Sequence, residues 1–260
     1  MDRLFLDDKS ARRRFFDRLV FTFDPGHMGR LTRYENAMRQ RLRLLKDGQN
    51  DDMWLGGLEI QMAEAAIAIC AGRHHFCEKL QNAYISATVD ERNSFPSALL
   101  DIIGDIENIL SNNSALEAED SFKNQLKKNR ISDAESGVTR VGPHRSDFDV
   151  IYQQKNMPAA QSSTGEQKAL LIGIILAHAR LLQEEHGHAP LLLLDEIVAH
   201  LDPNRRKILA GLLQSYGSQV WMTGTDQTLF QDFINQSCLY QVADSSVSKY
   251  EGYAPVDPAA

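Results

Sequence analysis

The sequence predicts an α/β protein in which a largely helical segment precedes a segment that contains a buried strand. Apolar residues recur at helical spacing through most of residues 1–130, and short extended runs begin near Ile131. Leu191 to Leu194 are four leucines without alternation, a pattern typical of a strand buried on both faces. We therefore expect an α-helical arm or lobe over residues 1–130, a second segment over residues 131–254 and a loose tail over residues 255–260.

The composition is that of a globular protein in a reducing compartment. The 260 residues are 43% hydrophobic, which is enough for one or two domains with real cores. The three cysteines show no paired framework, and the sequence contains no signal peptide and no apolar run of membrane length. We therefore expect a cytoplasmic location and no membrane partner. The net charge of −7 argues against a general nucleic-acid coat, although a local basic face can coexist with an acidic whole.

Three helices are predicted near the N-terminus. The first follows Ser10 and runs over Arg12 to Val20, the second spans Leu31 to Lys46, and the third runs from about Met53 toward Val89. A polar turn separates the second helix from the third, which indicates an antiparallel helical hairpin.

Two groups of basic residues lie in this helical segment. A solvated charged face is the commoner explanation for each group, and contact with DNA is the alternative. His74, His75 and Cys77 imitate a metal cluster, but no second ligand pair follows at a defined spacing, so a helix surface is favoured. The basic residues are Arg30, Arg33, Arg39, Arg41, Arg43 and Lys46 in the first group and Lys123, Lys127, Lys128 and Arg130 in the second.

The middle of the chain changes from helical to extended patterns. Ser97 to Leu110 carries an apolar stripe at helical spacing, and a polar helix is expected over Asn112 to Arg130. Two extended runs are then predicted, Gly137 to Val141 and Phe148 to Tyr152, with a Gly-Pro turn between them.

A long buried helix is predicted over Glu166 to Glu185, because apolar side chains occupy most of its circumference. Ser163 and Thr164 stand at its start as capping residues. The N-terminus of a helix leaves backbone N–H groups unpaired and favours negative charge, so this end of the helix is a candidate anion cradle.

Two carboxylates follow the leucine strand at its C-terminal edge, where open α/β sheets bind ligands. Asp195 has the chemistry of a ligand for Mg²⁺, directly or through water, and Glu196 could polarise a water. Asp202 is an N-cap followed by Pro203, so a helix to about Tyr216 begins directly after this loop. The alternative is a buried strand that runs into a polar loop and a capped helix, as in any α/β protein.

The order of these features resembles the signature, Walker B and D-loop series of ABC-type ATPases. The serine-rich glycine turn, the buried helix, the leucine strand with its two carboxylates and Ala199 to Asp202 follow one another in that order. Within this class the sequence resembles the RecF family, whose signature reads Ser-Thr-Gly-Glu-Gln-Lys, as at Ser163 to Lys168. Arg12 to Leu19 and Val141 to Asp147 are similar to further RecF patterns, so the resemblance covers nearly the whole chain.

The resemblance implies the C-terminal half of an ABC-type ATPase head with an inserted or preceding α-helical arm domain. It implies ATP hydrolysis, with Mg²⁺ at Asp195 and with Glu196 as the base that positions the attacking water. It also implies a homodimer closed by ATP, in which the signature of each subunit completes the nucleotide site of its partner. The nucleotide-binding residues implied in this way are Ser163, Thr164, Gly165, Glu166 and Asp202.

By the same resemblance, the protein acts in DNA replication, repair and recombination. A RecF-like clamp would close on DNA at single-strand gaps and stalled forks and, with RecO and RecR, help RecA displace single-strand-binding protein, with a link to the SOS response. The main alternative is a non-catalytic helical remnant that binds DNA or another partner. An ABC transporter ATPase subunit is less favoured, because a large helical domain precedes a signature that lacks the usual Leu-Ser-Gly-Gly-Gln.

The sequence departs from the family pattern at two places. It contains no Gly-x-x-x-x-Gly-Lys-Ser/Thr phosphate loop, so we expect a chain truncated at its N-terminus that binds ATP poorly by itself. No histidine follows the buried strand predicted at Gln219 to Thr223, where Thr223 or Thr225 offers a hydroxyl. Cys238 to Val242 and Val247 to Tyr250 are predicted to be edge strands.

Overall fold

The computed structural model describes residues 4–48, 51–88 and 95–250. The predicted tail and the predicted end of the third helix near Val89 lie outside these residues. The helices are α1 (Lys9–Phe23), α2 (His27–Lys46), α3 (Asp52–Thr88), α4 (Asp105–Asn112), α5 (Ala115–Lys128), α6 (Arg130–Ser136), α7 (Thr164–His186) and α8 (Pro203–Tyr216). The strands are β1 (Ala98–Ile103), β2 (Asp147–Tyr152), β3 (Met157–Pro158), β4 (Leu192–Leu194), β5 (Val220–Met222), β6 (Tyr240–Ala243) and β7 (Ser246–Lys249).

The helical hairpin predicted near the N-terminus is formed by α2 and α3. Its core contains Tyr34, Leu55, Met62 and Ile69, with further residues from α4 and α5 packed against it. Helix α1 begins one residue before Ser10, because the side chain of Asp8 accepts a 2.7 Å hydrogen bond from the backbone N–H of Ala11 and caps the helix. The expectation of no apolar run of membrane length was wrong for α3, which could cross a membrane by length and composition alone, although 56% of its apolar window is buried inside the protein.

A three-stranded antiparallel sheet in the order β1-β2-β3 replaces part of the helical pattern predicted at Ser97 to Leu110. That prediction was wrong for residues 98–103, where buried and exposed residues alternate with the period of a strand. The other extended run, Gly137 to Val141, is not a strand. Gly137 takes the left-handed conformation, φ 70°, at the C-terminal cap of α6, and irregular chain follows.

This sheet joins the two segments that the sequence analysis separated near residue 130. Strand β1 pairs with β2 along its whole length, from Ala98 opposite Tyr152 to Ile103 opposite Asp147. The two predicted segments therefore share one sheet in the fold. Their division into two domains at residue 130 stays a prediction.

The leucine strand forms part of a two-stranded parallel sheet, in which Leu192 lies opposite Val220 and Leu194 opposite Met222. The prediction of burial on both faces was wrong. Leu192 and Leu194 are buried against α7 and α8, but Leu193 is 73% exposed, because nothing in the described part of the chain covers the second face. Helix α8 has the predicted bounds, and β6 and β7 pair with each other as an antiparallel hairpin.

Helix α7 packs against two hydrophobic cores, one on each side, which confirms the predicted buried helix. Leu170 and Ile174 pack with residues of α1, α3 and the β1-β2 sheet, whereas Ile172 and Leu176 pack with β4 and α8. Gly173 allows α3 to approach closely, since a Cβ atom at this position would lie 2.7 Å from the hydroxyl oxygen of Tyr84. The mixed α/β class predicted from the sequence is thus confirmed, with a large helical part.

One buried histidine on α7 is expected to make the fold sensitive to mild acid. The Nε2 atom of His178 lies 2.8 Å from the hydroxyl oxygen of Thr22 on α1, and its ring meets the edge of Phe76. Burial lowers the pKa of His178 to about 4, so the folded protein holds it neutral while the unfolded chain takes up a proton near pH 6.5.

Because the folded-state pKa is depressed, the contribution of His178 to stability is present above the unfolded pKa and is lost as the pH falls below it. The free energy of unfolding should decrease by about 2 kcal/mol between pH 7 and pH 5 through this group. Denaturant unfolding of the wild type and of His178→Leu at both pH values would measure the loss. An equal loss in both proteins would assign the acid sensitivity to other groups.

Candidate functional site

The N-terminus of α7 is organised by a complete capping box. The hydroxyl of Ser163 accepts a hydrogen bond from the backbone N–H of Glu166, and the carboxylate of Glu166 accepts from the backbone N–H of Ser163 at 3.0 Å. Thr164 is exposed, Gly165 is half-buried, and no atom outside the local chain lies within 4 Å of a Cβ atom added at Gly165. The space beside Gly165 is therefore open, which leaves room for an anion at this helix N-terminus.

Buried side chains hold this turn in place. Gln167 donates from Nε2 to the backbone carbonyl of Ser162 at 2.9 Å, and the hydroxyl of Ser162 donates to the carbonyl of Ala159 at 2.7 Å. Glu166 also forms an ion pair with Lys155 in the turn after β2, 2.7 Å between Nζ and Oε1. The pKa of Glu166 is lowered to about 2 by Lys155 and by the hydrogen bonds from Ser163. Glu166 is thus a capping carboxylate that stays charged.

The two carboxylates after β4 are exposed and are positioned by the end of β5. The hydroxyl of Thr223 donates a hydrogen bond to Oδ1 of Asp195 and accepts one from the backbone N–H of Glu196 at 3.1 Å. Glu196 takes the left-handed conformation, φ 53°, which is uncommon for a residue with a side chain. Thr223, one of the two threonines predicted to offer a hydroxyl, therefore restrains the carboxylate of Asp195 and the backbone of Glu196.

Asp202 caps α8 as predicted. Its side chain accepts a 2.9 Å hydrogen bond from the backbone N–H of Arg205, and Pro203 occupies the first helical position. Asp226 caps the 3-10 turn Gln227–Gln236 by accepting from the backbone N–H of Thr228 at 2.9 Å. Asp226 is thus a capping residue.

The residues fit a divalent cation and a phosphate group. Mg²⁺ prefers oxygen ligands and keeps several waters, and Asp195 presents an exposed carboxylate whose orientation Thr223 restrains. The described residues contain no group of three or more His, Cys, Asp and Glu side chains that would hold a metal without help from another ligand. A cation at Asp195 would therefore be shared with a phosphate-bearing ligand.

The predicted site residues fall into two groups that contact different elements, here called half-sites. Ser163 and Glu166 are held by the β2-β3 region, through Lys155, whereas Asp195 and Glu196 are held by β5, through Thr223. These two half-sites have different supporting elements and no supporting residue in common. Ser163 and Thr164 are exposed in one half-site and Asp195 and Glu196 in the other, so each half-site is accessible to a second molecule.

A third feature, missed by the sequence analysis, is a network around the loop Val141–Asp147, here called the Pro143 loop. Arg73 on α3 is fully buried, makes two hydrogen bonds to Asp17 on α1 at 2.8 and 2.9 Å, and donates to the carbonyl of Pro143 at 2.8 Å. Arg12 makes two hydrogen bonds to Asp147 at 2.8 and 2.7 Å. The RecF-like stretches at Arg12 to Leu19 and at the Pro143 loop therefore bind each other.

His144, whose role did not follow from the sequence, belongs to this network. Its Nδ1 atom lies 2.9 Å from the hydroxyl oxygen of Tyr34, and its Nε2 atom lies 2.8 Å from the carbonyl oxygen of Thr139. Burial lowers the pKa of His144, which favours the neutral ring. Arg145 is exposed. His144 is thus a structural contact between α2 and the Pro143 loop.

The two predicted basic groups contribute arginines to the protein interior. Arg41 is fully buried and binds Glu59 at 3.0 Å, Asp133 at 2.7 Å and the carbonyl of Leu126 at 2.6 Å. Arg130 binds the same Glu59 at 2.6 Å. The prediction that Arg41 lies on a charged surface was wrong, because buried acids on α3 and α6 pair with it.

Comparisons with known proteins identify the fold and the family. Residues 74–224 match the model of a family described as AAA domain, putative AbiEii toxin, Type IV TA system. Two solved structures, the recombination mediator protein RecF in the RecFOR pathway bound to ATP and to ATPrS, superpose with TM-scores of 0.77 and 0.76 at 25% identity. Each of these matches covers 94% of this chain and 64% of the other. The fold is therefore that of an ABC-type ATPase head with a large helical part, and residues 74–224 belong to the AAA domain family.

Curated relatives place the chain more narrowly. It is 46% identical over 243 residues to the DNA replication and repair protein RecF of Brucella abortus (strain 2308) and 45% identical over 247 residues to that of Rhizobium etli (strain CIAT 652). The matches cover 94% and 95% of this chain, and the chain spans 63% and 65% of the length of these relatives. The chain belongs to the RecF family.

Proposed function

We propose that this chain forms part of an ATP-dependent DNA clamp of the RecF type, in which two heads close over ATP and Mg²⁺. The observation that carries the proposal is the pair of half-sites on separate supports, with Ser163 and Thr164 exposed in one and Asp195 and Glu196 exposed in the other. A single chain leaves both open. A second copy would bring the α7 turn of one head to the carboxylates of the other, as in other ABC-type heads.

The residues of each half-site would have separate tasks. Asp195 would hold Mg²⁺ against the phosphates, and the exposed carboxylate of Glu196 would accept the proton of the attacking water, a contribution of about 10² to 10⁴ in rate. The partner's α7 turn would meet the phosphates through its backbone N–H groups and Ser163. Bound ATP supplies the triphosphate whose cleavage releases the heads, and the protein contributes mainly charge and positioning.

The DNA-directed part of the proposal is supported by family membership and by the names of the matched proteins. Relatives are named DNA replication and repair proteins, and the superposed structures are those of a recombination mediator in the RecFOR pathway. We infer the same setting here: binding at single-strand gaps and stalled forks in the cytoplasm, cooperation with RecO and RecR, assistance to RecA, and a part in the SOS response.

A second function rests on one specific observation. The printed sequence contains no Gly-x-x-x-x-Gly-Lys-Ser/Thr motif, which the proposed ATP site requires. A non-catalytic remnant that binds DNA without responding to ATP would retain Asp195 and Glu196 without using them. DNA binding that ignores ATP is the result that favours this alternative.

Replacement of Ser163 by arginine tests the clamp directly. The variant should weaken ATP-driven association of heads at least about tenfold, because a long cation would fill the turn where the partner's phosphate docks, while ATP binding to each head is retained. The measurement is sedimentation velocity with and without ATP, on the chain extended by its upstream coding sequence. Ser136→Arg, at the exposed end of α6, is the matched control. Dimers of Ser163→Arg that persist in ATP would exclude this role for Ser163.

A further inference from the structure

The ion pair between Lys155 and Glu166 joins two elements at the entrance of the α7 turn. Lys155 ends the 3-10 turn Gln153–Lys155 that follows β2, and Glu166 lies in the first turn of α7. The carboxylate of Glu166 is shared: Oε1 lies 2.7 Å from Nζ of Lys155, and Oε2 accepts from the hydroxyl of Ser163 at 2.8 Å. One carboxylate is thus held by a cation on one side and by the capping serine on the other.

A charged carboxylate at this position opposes the binding of a phosphate. The α7 N-terminus favours negative charge, and Glu166 already supplies one. A polyphosphate that docked beside Ser163 and Gly165 would meet a second anion a few ångströms away, and two unit charges at such a distance repel by about 1 kcal/mol even in water. The positive charge of Lys155 offsets this repulsion without removing the carboxylate from the cap.

We propose that Lys155 is a positioning residue of the proposed nucleotide site, which neutralises Glu166 and fixes the capping box so that a polyphosphate can dock at Ser163 to Gly165. The inference rests on the proposed function and extends it to a residue outside the signature. Lys155 is not proposed to contact the phosphate. It acts through Glu166.

The surroundings of Lys155 restrain where its charge lies. Asn156, directly after it, takes the left-handed conformation with φ 48°, and the chain returns as β3, whose Met157 lies opposite Tyr152. The ammonium group is also 5.7 Å from the centre of the Tyr152 ring. The pKa of Lys155 is raised by its hydrogen bond to Glu166, so it remains charged when Glu166 does.

A purely structural role makes a different prediction. The side chain of Lys155 is 52% exposed, and exposed ion pairs contribute little to stability. If Lys155 served stability alone, its removal would slightly change the free energy of unfolding and leave anion binding at α7 unchanged. Measuring both quantities on the same variants separates the two roles.

The test is an NMR titration of the 260-residue chain with inorganic tripolyphosphate, which reads the backbone amides of Thr164 and Gly165. Lys155→Ala should weaken binding about fivefold, as expected for about 1 kcal/mol of uncompensated repulsion. Lys155→Arg should retain binding within about twofold. The double variant Lys155→Ala/Glu166→Gln should also recover it, because glutamine keeps the capping box without the charge. Lys123→Ala, which removes a comparable ion pair with Asp120 on α5, is the control.

Each of the other outcomes contradicts one part of the proposal for Lys155. Equal affinities for the wild type and Lys155→Ala would overturn the role of Lys155. A double variant as weak as Lys155→Ala would show that Lys155 binds the phosphate itself, which also overturns positioning through Glu166. Shifts confined to amides away from α7, or no shift in the wild type, would overturn the anion site at α7 and the role of Lys155 in it, whereas the clamp itself is tested separately by ATP-driven association of the heads. Thermal unfolding of every variant establishes that the binding changes belong to folded protein.

Discussion

Replacing Arg73 with methionine is expected to lower the free energy of unfolding by about 3–5 kcal/mol, the cost of leaving a buried charge without its partner. Arg73 is fully buried, and its guanidinium binds both carboxylate oxygens of Asp17 as well as the carbonyl of Pro143. Methionine retains most of the apolar stem but donates no hydrogen bond. Of the two residues that bind the Asp17 side chain in the described part of the chain, His27 would remain, with its Nε2 atom 2.8 Å from Oδ1.

The measurement is equilibrium unfolding in urea at neutral pH. Arg43→Met on α2 is the matched control, because Arg43 is 85% exposed and its contact with Asp47 is long at 3.8 Å. The control should change stability by less than about 1 kcal/mol. A loss of similar size in the two variants would show that the contacts of Arg73 with α1 and the Pro143 loop are not what stabilises this region.

Glu196→Gln is expected to reduce ATP turnover by about 10² to 10⁴ and to leave the closed, ATP-bound dimer intact. Glutamine has the size of glutamate but does not accept a proton at neutral pH. Asp195, Thr223 and the α7 turn are unchanged in this variant, so the contacts that close the heads over ATP should persist. The rate of phosphate release and the lifetime of the complex on DNA would be measured on the N-terminally extended chain.

Glu184→Gln on α7 is the control. Glu184 is exposed, and its ion-pair partner Arg180 lies four residues earlier on the same helix. This variant should not change ATP turnover. Unchanged turnover in Glu196→Gln as well would remove Glu196 from the mechanism and would leave its left-handed conformation without a functional explanation.

The elements that the sequence predicts well are those whose ends carry local signals. Helix α8 begins at Pro203 behind the capping Asp202 and ends before Gly217, which takes the left-handed conformation. Helix α7 was predicted from its continuous apolar surface and the serines at its start. These signals act over a few neighbouring residues, so the sequence displays them directly.

The features that the sequence does not predict depend on partners distant in the chain. Ala98 to Ile103 fits a helical stripe as well as a strand until β2, some fifty residues later, supplies the hydrogen bonds. The burial of Arg73 and Arg41 depends on acids on other helices. Leu193 is exposed because pairing leaves one face of β4 uncovered in the described structure, which a run of leucines does not indicate.

The candidate site likewise contains residues that short motifs predict and supporting contacts that the sequence does not predict. Ser163, Asp195 and Asp202 were identified from short motifs, and the structure supports a cap or a carboxylate at each position. The supports Lys155 and Thr223 come from a preceding turn and a following strand. Their contacts arise from tertiary packing, and no spacing in the sequence specifies them.

The most direct test of the clamp is ATP-dependent binding to duplex DNA with a single-stranded gap, measured for this chain and for the chain extended by its upstream coding sequence. We expect the extended form to bind gapped DNA more tightly with ATP than without it, and the 260-residue chain to show no response to ATP. If neither form responds to ATP, the clamp is contradicted, and Asp195 and Glu196 are structural remnants in a protein that binds without hydrolysis.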